Sequence, residues 1–354
     1  YRGQTMESMA TVMLESGEDE GEEETSGAII GPFGPVALLA GQDLLFSGGV
    51  QINLQELGAH SNGNMSFSGG PDLWAGYAST NGSLDMNGNP VITLDDGEGI
   101  LHANGPVVLK GRANMNQVSS STSITGNWGV STGALHIAPV VTYPQWFSNP
   151  PPNSIQNVTP VDPMELPELD VEAFKTYAQT YDSYFEGTQN INRSWLTKLI
   201  KERTGENVRN QQTLVVPDGG VMFVNGTVKL NSDMDFEGVL IATGDISILG
   251  AATFANPTGY PAVVSVYGDI QVGGGASGLS VDGWIYAMNG NVTLSGGASA
   301  MTGVIAAQDI EIKGGYSIGE AGEIKGITWP GQEADDGDEG SGGASSLRLL
   351  SWIR

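Results

Sequence analysis

Asp233, Asp235 and Glu237 alternate along a run that reads as a strand, so the three carboxylates share one face. Calcium takes oxygen ligands of this kind, and this is the metal site the sequence offers; the competing reading is a solvated polar face. Asp95, Asp96 and Glu98 form a second acidic turn. His60, His102 and His136 are far apart in sequence. His60 and His102 occupy equivalent repeat positions two rungs apart, which reads as a ladder position more than as a zinc site. The serine run 119–123 has no nucleophile elbow. Gly273-Gly274-Gly275 lacks the following Lys-Ser/Thr of a phosphate loop. Arg112 is the only Lys or Arg between Lys110 and Lys175, so the basic residue of a polysaccharide lyase is hard to place there. None of these groups makes a catalytic apparatus, and the chain reads as a non-enzyme without a cofactor, calcium aside.

The chain has 354 residues and a formal net charge of −26. Phosphate backbones require Lys/Arg stripes and the sequence has none, so nucleic acid is rejected as a partner; anionic membrane surfaces are rejected on the same ground. There is no cysteine, which excludes disulfides and thiolate chemistry. The 52 glycines are about twice the usual share of roughly 7%. With many short apolar runs, they point to an all-β fold rich in tight turns.

The elements that must position these residues come from a repeat. Asn-Gly followed by alternating apolar residues recurs at Asn62, Asn81 and Asn104, with spacings of 19 and 23 residues. A second glycine beat follows at Gly48, Gly69, Gly88 and Gly111. A period near 20 signals a solenoid of three short strands per coil, with Asn-Gly supplying positive φ at its corners. From Val215 the repeat resumes in more hydrophobic form. Five divisions follow. Residues 1–26 are a helix stub and acidic linker, 27–138 a first β-repeat block, and 139–212 a Pro-rich connector with two helices. Residues 213–332 are a second β-repeat block, and 333–354 an acidic Gly/Ser linker with a C-terminal docking strand. The helices are expected at 171–185, capped by Asp170 and stopped by Gly187, and at Trp195–Thr204, capped by Ser194 and stopped by Gly205. The expected fold is mainly β: a Gly-rich, parallel β-helix-like solenoid in two repeat blocks with a small helical insertion.

Several strings carry a resemblance: Phe46-Ser47-Gly48-Gly49 with His60-Ser61-Asn62-Gly63, the Leu166–Asp170 connector, Gly238–Ile248, and the terminal Leu347–Trp352. Across roughly residues 40–354 the chain resembles pilus-assembly proteins of the PilX type, the minor pilins related to type IV pili and type II secretion pseudopilins. The resemblance implies an extracellular or cell-surface, pilus-associated protein. Its partners would be other pilus or secretion-system subunits, with a surface polysaccharide or host ligand as the bound target. The family's N-terminal hydrophobic helix is not in the sequence. Membrane contact is expected only through such a helix upstream of Tyr1, whose tail is read at residues 4–14. Two alternatives stand beside this reading: a carbohydrate-active enzyme on a β-helix, and a self-polymerising, bactofilin-like scaffold.

Overall fold

The computed structural model describes residues 30–95, 99–110, 112–126, 134–145, 150–205, 213–231, 233–255, 261–273, 279–296, 304–314 and 317–318. The expected helix stub, the acidic linkers, the turn at Asp96 and Glu98, and the C-terminal docking strand lie outside these residues.

The strands are short, most of three to five residues, and three strands make one rung. Gly34–Ala40, Leu44–Gly48 and Gln51–Asn53 form the first. Successive rungs stack in parallel register, as in Leu44↔Met65 and Phe46↔Phe67. About 11 turns result. The solenoid has three sheet faces: a 14-stranded sheet, a 12-stranded sheet, and a third face in pieces of five and four strands.

Inside, like side chains form columns. The rings of Phe46 and Phe67 stack 4.8 Å apart, and Phe236 and Phe254 meet at 5.7 Å. Such a core draws on both area burial and ring contact. The 12-stranded sheet alternates buried and exposed residues, as in Val228–Leu230 and Ile246–Ile248. The 14-stranded sheet does not: Gly58–Ser61 and Val239–Ala242 are buried at every position. A parallel sheet covered on both faces has that signature. The cover is the connector and the first helix.

The two repeat blocks make one continuous body with an unexpected chain order. The first block starts in the middle of the solenoid and winds to one end, at Asn153–Ile155. Residues 156–170 then run back along the outside of the 14-stranded sheet as a strap. The second block starts at the far end, with Tyr184–Glu186 paired to Phe223–Asn225, and winds back to the middle. There its last rung stacks on the chain's first: Ile305–Ala307 pairs with Leu38–Ala40, and Ile310–Lys313 with Leu44–Ser47.

The helices are α1, Val171–Thr180, and α2, Arg193–Thr204. Asp170 caps α1 as expected, accepting the Ala173 N–H at 2.9 Å. The expected extent to 185 is wrong. The helix stops at Thr180, because Tyr184–Glu186 is drawn into the sheet edge, and Gly187 serves the turn that follows. Ser194 does not cap α2 either. Asn192, one turn before Trp195 in extended backbone, accepts the Trp195 N–H at 2.9 Å. Gly205 ends α2 in the left-handed region, as expected. Phe174 and Ala178 bury α1 against the outer side of the 14-stranded sheet, while Leu196 of α2 joins the solenoid core. Among the described residues no helix is long and apolar enough to cross a membrane.

The Asn-Gly corners also differ from expectation. Gly63, Gly82 and Gly105 do not have positive φ; the later beat, Gly48, Gly69 and Gly88, does. Crowding is what requires glycine in the Asn-Gly pair. A Cβ on Gly82 would stand 2.2 Å from the Gly63 carbonyl oxygen in the rung below.

Candidate functional site

His60 and His102 stand in one column of the 14-stranded sheet, alternating with serines in the order His60, Ser79, His102, Ser119. Both histidines are buried. His60 Nδ1 lies 2.7 Å from Ser79 Oγ, and His102 Nδ1 lies 2.8 Å from Ser119 Oγ. On the other side, His60 Nε2 meets Asn62 Oδ1 at 3.1 Å and Asn81 Oδ1 at 3.2 Å, and His102 Nε2 meets Asn104 Oδ1 at 3.0 Å.

The asparagines fasten the strap. Asn62 Nδ2 donates to the Met164 carbonyl at 2.6 Å while its Oδ1 accepts the Met164 N–H at 2.8 Å. Asn104 grips Val161 the same way, at 2.7 and 2.9 Å, and Asn81 Nδ2 donates to the Val161 carbonyl at 2.7 Å. This pairing places a proton on each Nε2. Because Asn62 and Asn104 Oδ1 are acceptors, each histidine donates from Nε2; a ring that burial keeps neutral then accepts the serine proton at Nδ1. Desolvation by burial favours the neutral ring, holding the pKa of each below the usual histidine value against the raising effect of the asparagine bonds.

Serine, histidine and asparagine thus occur in the order of a nucleophilic triad. Ser79 is 0% and Ser119 3% exposed, so neither hydroxyl can meet a substrate carbonyl. The arrangement orients an amide, which in turn holds backbone. His136 lies outside this column, in register with Val118 and Asn153. Its Nδ1 meets the Tyr143 hydroxyl at 2.5 Å, and burial pushes its pKa down to about 4.

The unequal repeat spacing produces a second feature. Between Ala75 and Ala78 the chain has only Gly76-Tyr77, whereas between Leu94 and Leu101, in the same columns, it has six residues, 95–100. At the short corner lies an open cleft with Gly76 and Tyr77 in its wall, Glu56 and Asp95 at neighbouring corners, and Phe33 beside them. Gly76 must be glycine, since a Cβ would stand 2.1 Å from the Glu56 carbonyl oxygen. Gln55 and Asp95 at the flanking corners both hold positive φ, at 53° and 41°. Trp74, 42% exposed, precedes this corner.

Asp235 and Glu237 face outward from the strand Met234–Glu237 while Met234 and Phe236 face the core. Asp233 precedes it, 3.7 Å from the Arg193 guanidinium, and Asp235 Oδ2 accepts from Thr213 Oγ1 at 3.1 Å. The alternation is as expected. Among the described residues, however, no three His, Asp or Glu side chains are grouped closely enough to hold a metal ion. Successive outward positions on one strand stand about 6.5–7 Å apart, which separates rather than gathers the carboxylates.

The strap clamp is the arrangement that sequence reasoning missed. Its signal is the string His-x-Asn-Gly, present at His60–Gly63 and His102–Gly105, in which the Asn-Gly pair reads as a turn. No known family model matches the chain, and neither a curated protein nor a solved structure matches it.

Proposed function

We propose that this protein is a structural and adhesive element of the cell exterior, a pilus-associated ectodomain of the minor-pilin kind that serves filament assembly or surface binding. The observation that carries the reading is how its chemistry-bearing residues are used. The Ser79–His60–Asn62 and Ser119–His102–Asn104 sets hold the strap to the body, which gives mechanical integrity rather than turnover. The net charge of −26 suits solubility outside the cell, and the resemblance to PilX-type proteins supplies the context. The partners are then other pilus or secretion-system subunits and a surface polysaccharide or host ligand. Immunogold labelling of intact cells and of thin sections tests this. Gold on surface filaments or the cell exterior is expected, and label confined to the cell interior overturns it.

A second reading has one observation in its favour. The cleft beside Gly76, with Glu56, Asp95 and Phe33, has the residue types of a carbohydrate site, and paired carboxylates are the groups glycoside hydrolysis uses. Release of reducing ends from an acidic or neutral polysaccharide, lost in Glu56→Gln, would replace the structural reading with that of a carbohydrate-active enzyme.

A further inference from the structure

The seam in the middle of the solenoid joins residues far apart in the chain by the same interactions that join any two rungs. Gly41 N–H donates to the Ala307 carbonyl at 2.8 Å, Gln42 N–H to Gln308 at 2.6 Å, and Ile310 N–H to Asp43 at 3.0 Å. Asp43 N–H donates to Asp309 Oδ1 at 2.9 Å, as Asp269 N–H does to Asp245 Oδ1 at 3.0 Å within the second block. Nothing in this pairing distinguishes the chain's own second block from that of another copy. Both seam faces are ready-made parallel edges, the element that pairs most readily with a further strand.

The link between the blocks is fastened differently over the two. Over the second block it is apolar: Leu169 and Phe174 are buried against Val239, Ile241 and Val264, and the Tyr286 hydroxyl donates to the Pro167 carbonyl. Helix α1 therefore belongs with the second block. Over the first block the described polar fastening is five side-chain hydrogen bonds, two from Asn62, one from Asn81 and two from Asn104. Met164 and Leu166 add apolar contact, so the asparagine clamp is one part of the fastening, and the part that side-chain substitution removes most simply. Freed from the first block, residues 156–170 span up to about 50 Å at ~3.3 Å per residue, enough to bridge two bodies.

We propose that the seam is an exchange interface. A second copy of this chain inserts its second block, with α1, onto the first block of the first copy and receives the other in return. The Asn62–Asn81–Asn104 clamp favours the closed single-chain form. Reciprocal exchange gives a two-fold dimer, and non-reciprocal exchange an open string of bodies. The clamp acts by raising the effective concentration of the chain's own second block at the seam.

The chain has no cysteine, so introduced thiols report the seam cleanly. Leu45 and Glu311 are register partners in adjacent strands with half-buried, outward positions. Neighbouring parallel strands are close enough for a disulfide. The full-length double variant L45C/E311C should close a disulfide within one chain on mild oxidation. The single variants L45C and E311C, mixed at high concentration, partly unfolded in urea and returned to buffer, should form a mixed disulfide-linked dimer. Adding Asn62→Ala, Asn81→Ala and Asn104→Ala to both should raise that product by at least about tenfold, tenfold corresponding to about 1.4 kcal/mol of closure. If the double variant closes but the mixture yields no more mixed dimer than an E311C-only control, with or without the clamp, exchange is wrong. A double variant that fails to close removes the seam itself and the proposal with it. Should the clamp variant fail to fold, the mixture carrying the clamp decides alone. The exchange is independent of the surface role above, and its failure leaves that role standing.

Discussion

Asp43 donates its backbone N–H to the carboxylate of Asp309, 266 residues later in the chain, at 2.9 Å. The bond is one step of a ladder that climbs a single corner of the solenoid. Asp269 N–H bonds to Asp245, Asn291 N–H to Asp269, Asp309 N–H to Asn291, Asp43 N–H to Asp309, Asn64 N–H to Asp43, and Ser83 N–H to Asn64. Each side chain satisfies a backbone donor that the rung's own geometry leaves at the turn. The ladder crosses from second block to first without a break.

Asp309→Ala should cost about 1–3 kcal/mol, because it orphans the Asp43 N–H at the seam. If the two blocks are one cooperative unit, urea unfolding of the variant remains a single transition with a lower midpoint. Two separated transitions would show that the blocks unfold independently and that the seam contributes little.

Asn104→Ala should release the strap at Val161. Limited proteolysis within residues 156–167 is expected to accelerate several-fold, with a stability loss of about 1–3 kcal/mol for the unpaired buried groups. Asn104→Asp keeps the acceptor for Val161 N–H but removes the donor to its carbonyl, so it should fall between Ala and the parent. Equal protease rates in all three would show that the strap is held by something other than this amide.

Acid should loosen the body through its histidines. His60, His102 and His136 have folded-state pKa values lowered by burial, His136 to about 4, whereas the unfolded chain titrates near 6.5. The stabilising contribution of the neutral rings is complete above pH 6.5. It is lost as pH falls toward 4, because the unfolded state takes up protons that the folded state does not. Urea midpoints measured from pH 7.5 to 4 should decline across this window. His136→Gln should flatten the decline, and an unchanged slope would assign it to other groups.

Gly82→Ala and Gly49→Ala should differ sharply. A Cβ on Gly82 meets the Gly63 carbonyl oxygen at 2.2 Å, while one on Gly49 meets nothing within 4 Å. The first should lose roughly 2 kcal/mol or more through forced separation of the rungs, and the second about 0.5 kcal/mol or less. Melting temperatures of the purified variants test this; similar losses would contradict the rung stacking at Asn81-Gly82.

The sequence by itself determined the rung. Alternation at Met65-Ser66-Phe67, the glycine beats and the period near 20 residues are local properties, and they specify strand, corner and repeat without reference to distant chain. The same locality made Asp170 legible as a cap and placed His60 and His102 on one column. It also misled, since Asn-Gly reads as a turn whether or not its φ is positive, and crowding from the rung below cannot be seen in one rung. One strand carried a further signal. Apolar residues at every position of Val239–Ala242 mark a sheet covered on both faces, and the cover needed a candidate. Only the tertiary structure supplied it. The strap's return path, the asparagines as its fasteners, and the closing of the last rung on the first all depend on contacts between residues tens to hundreds of positions apart. Every rung edge presents the same backbone groups, so nothing in a strand's own sequence states which other strand it will meet.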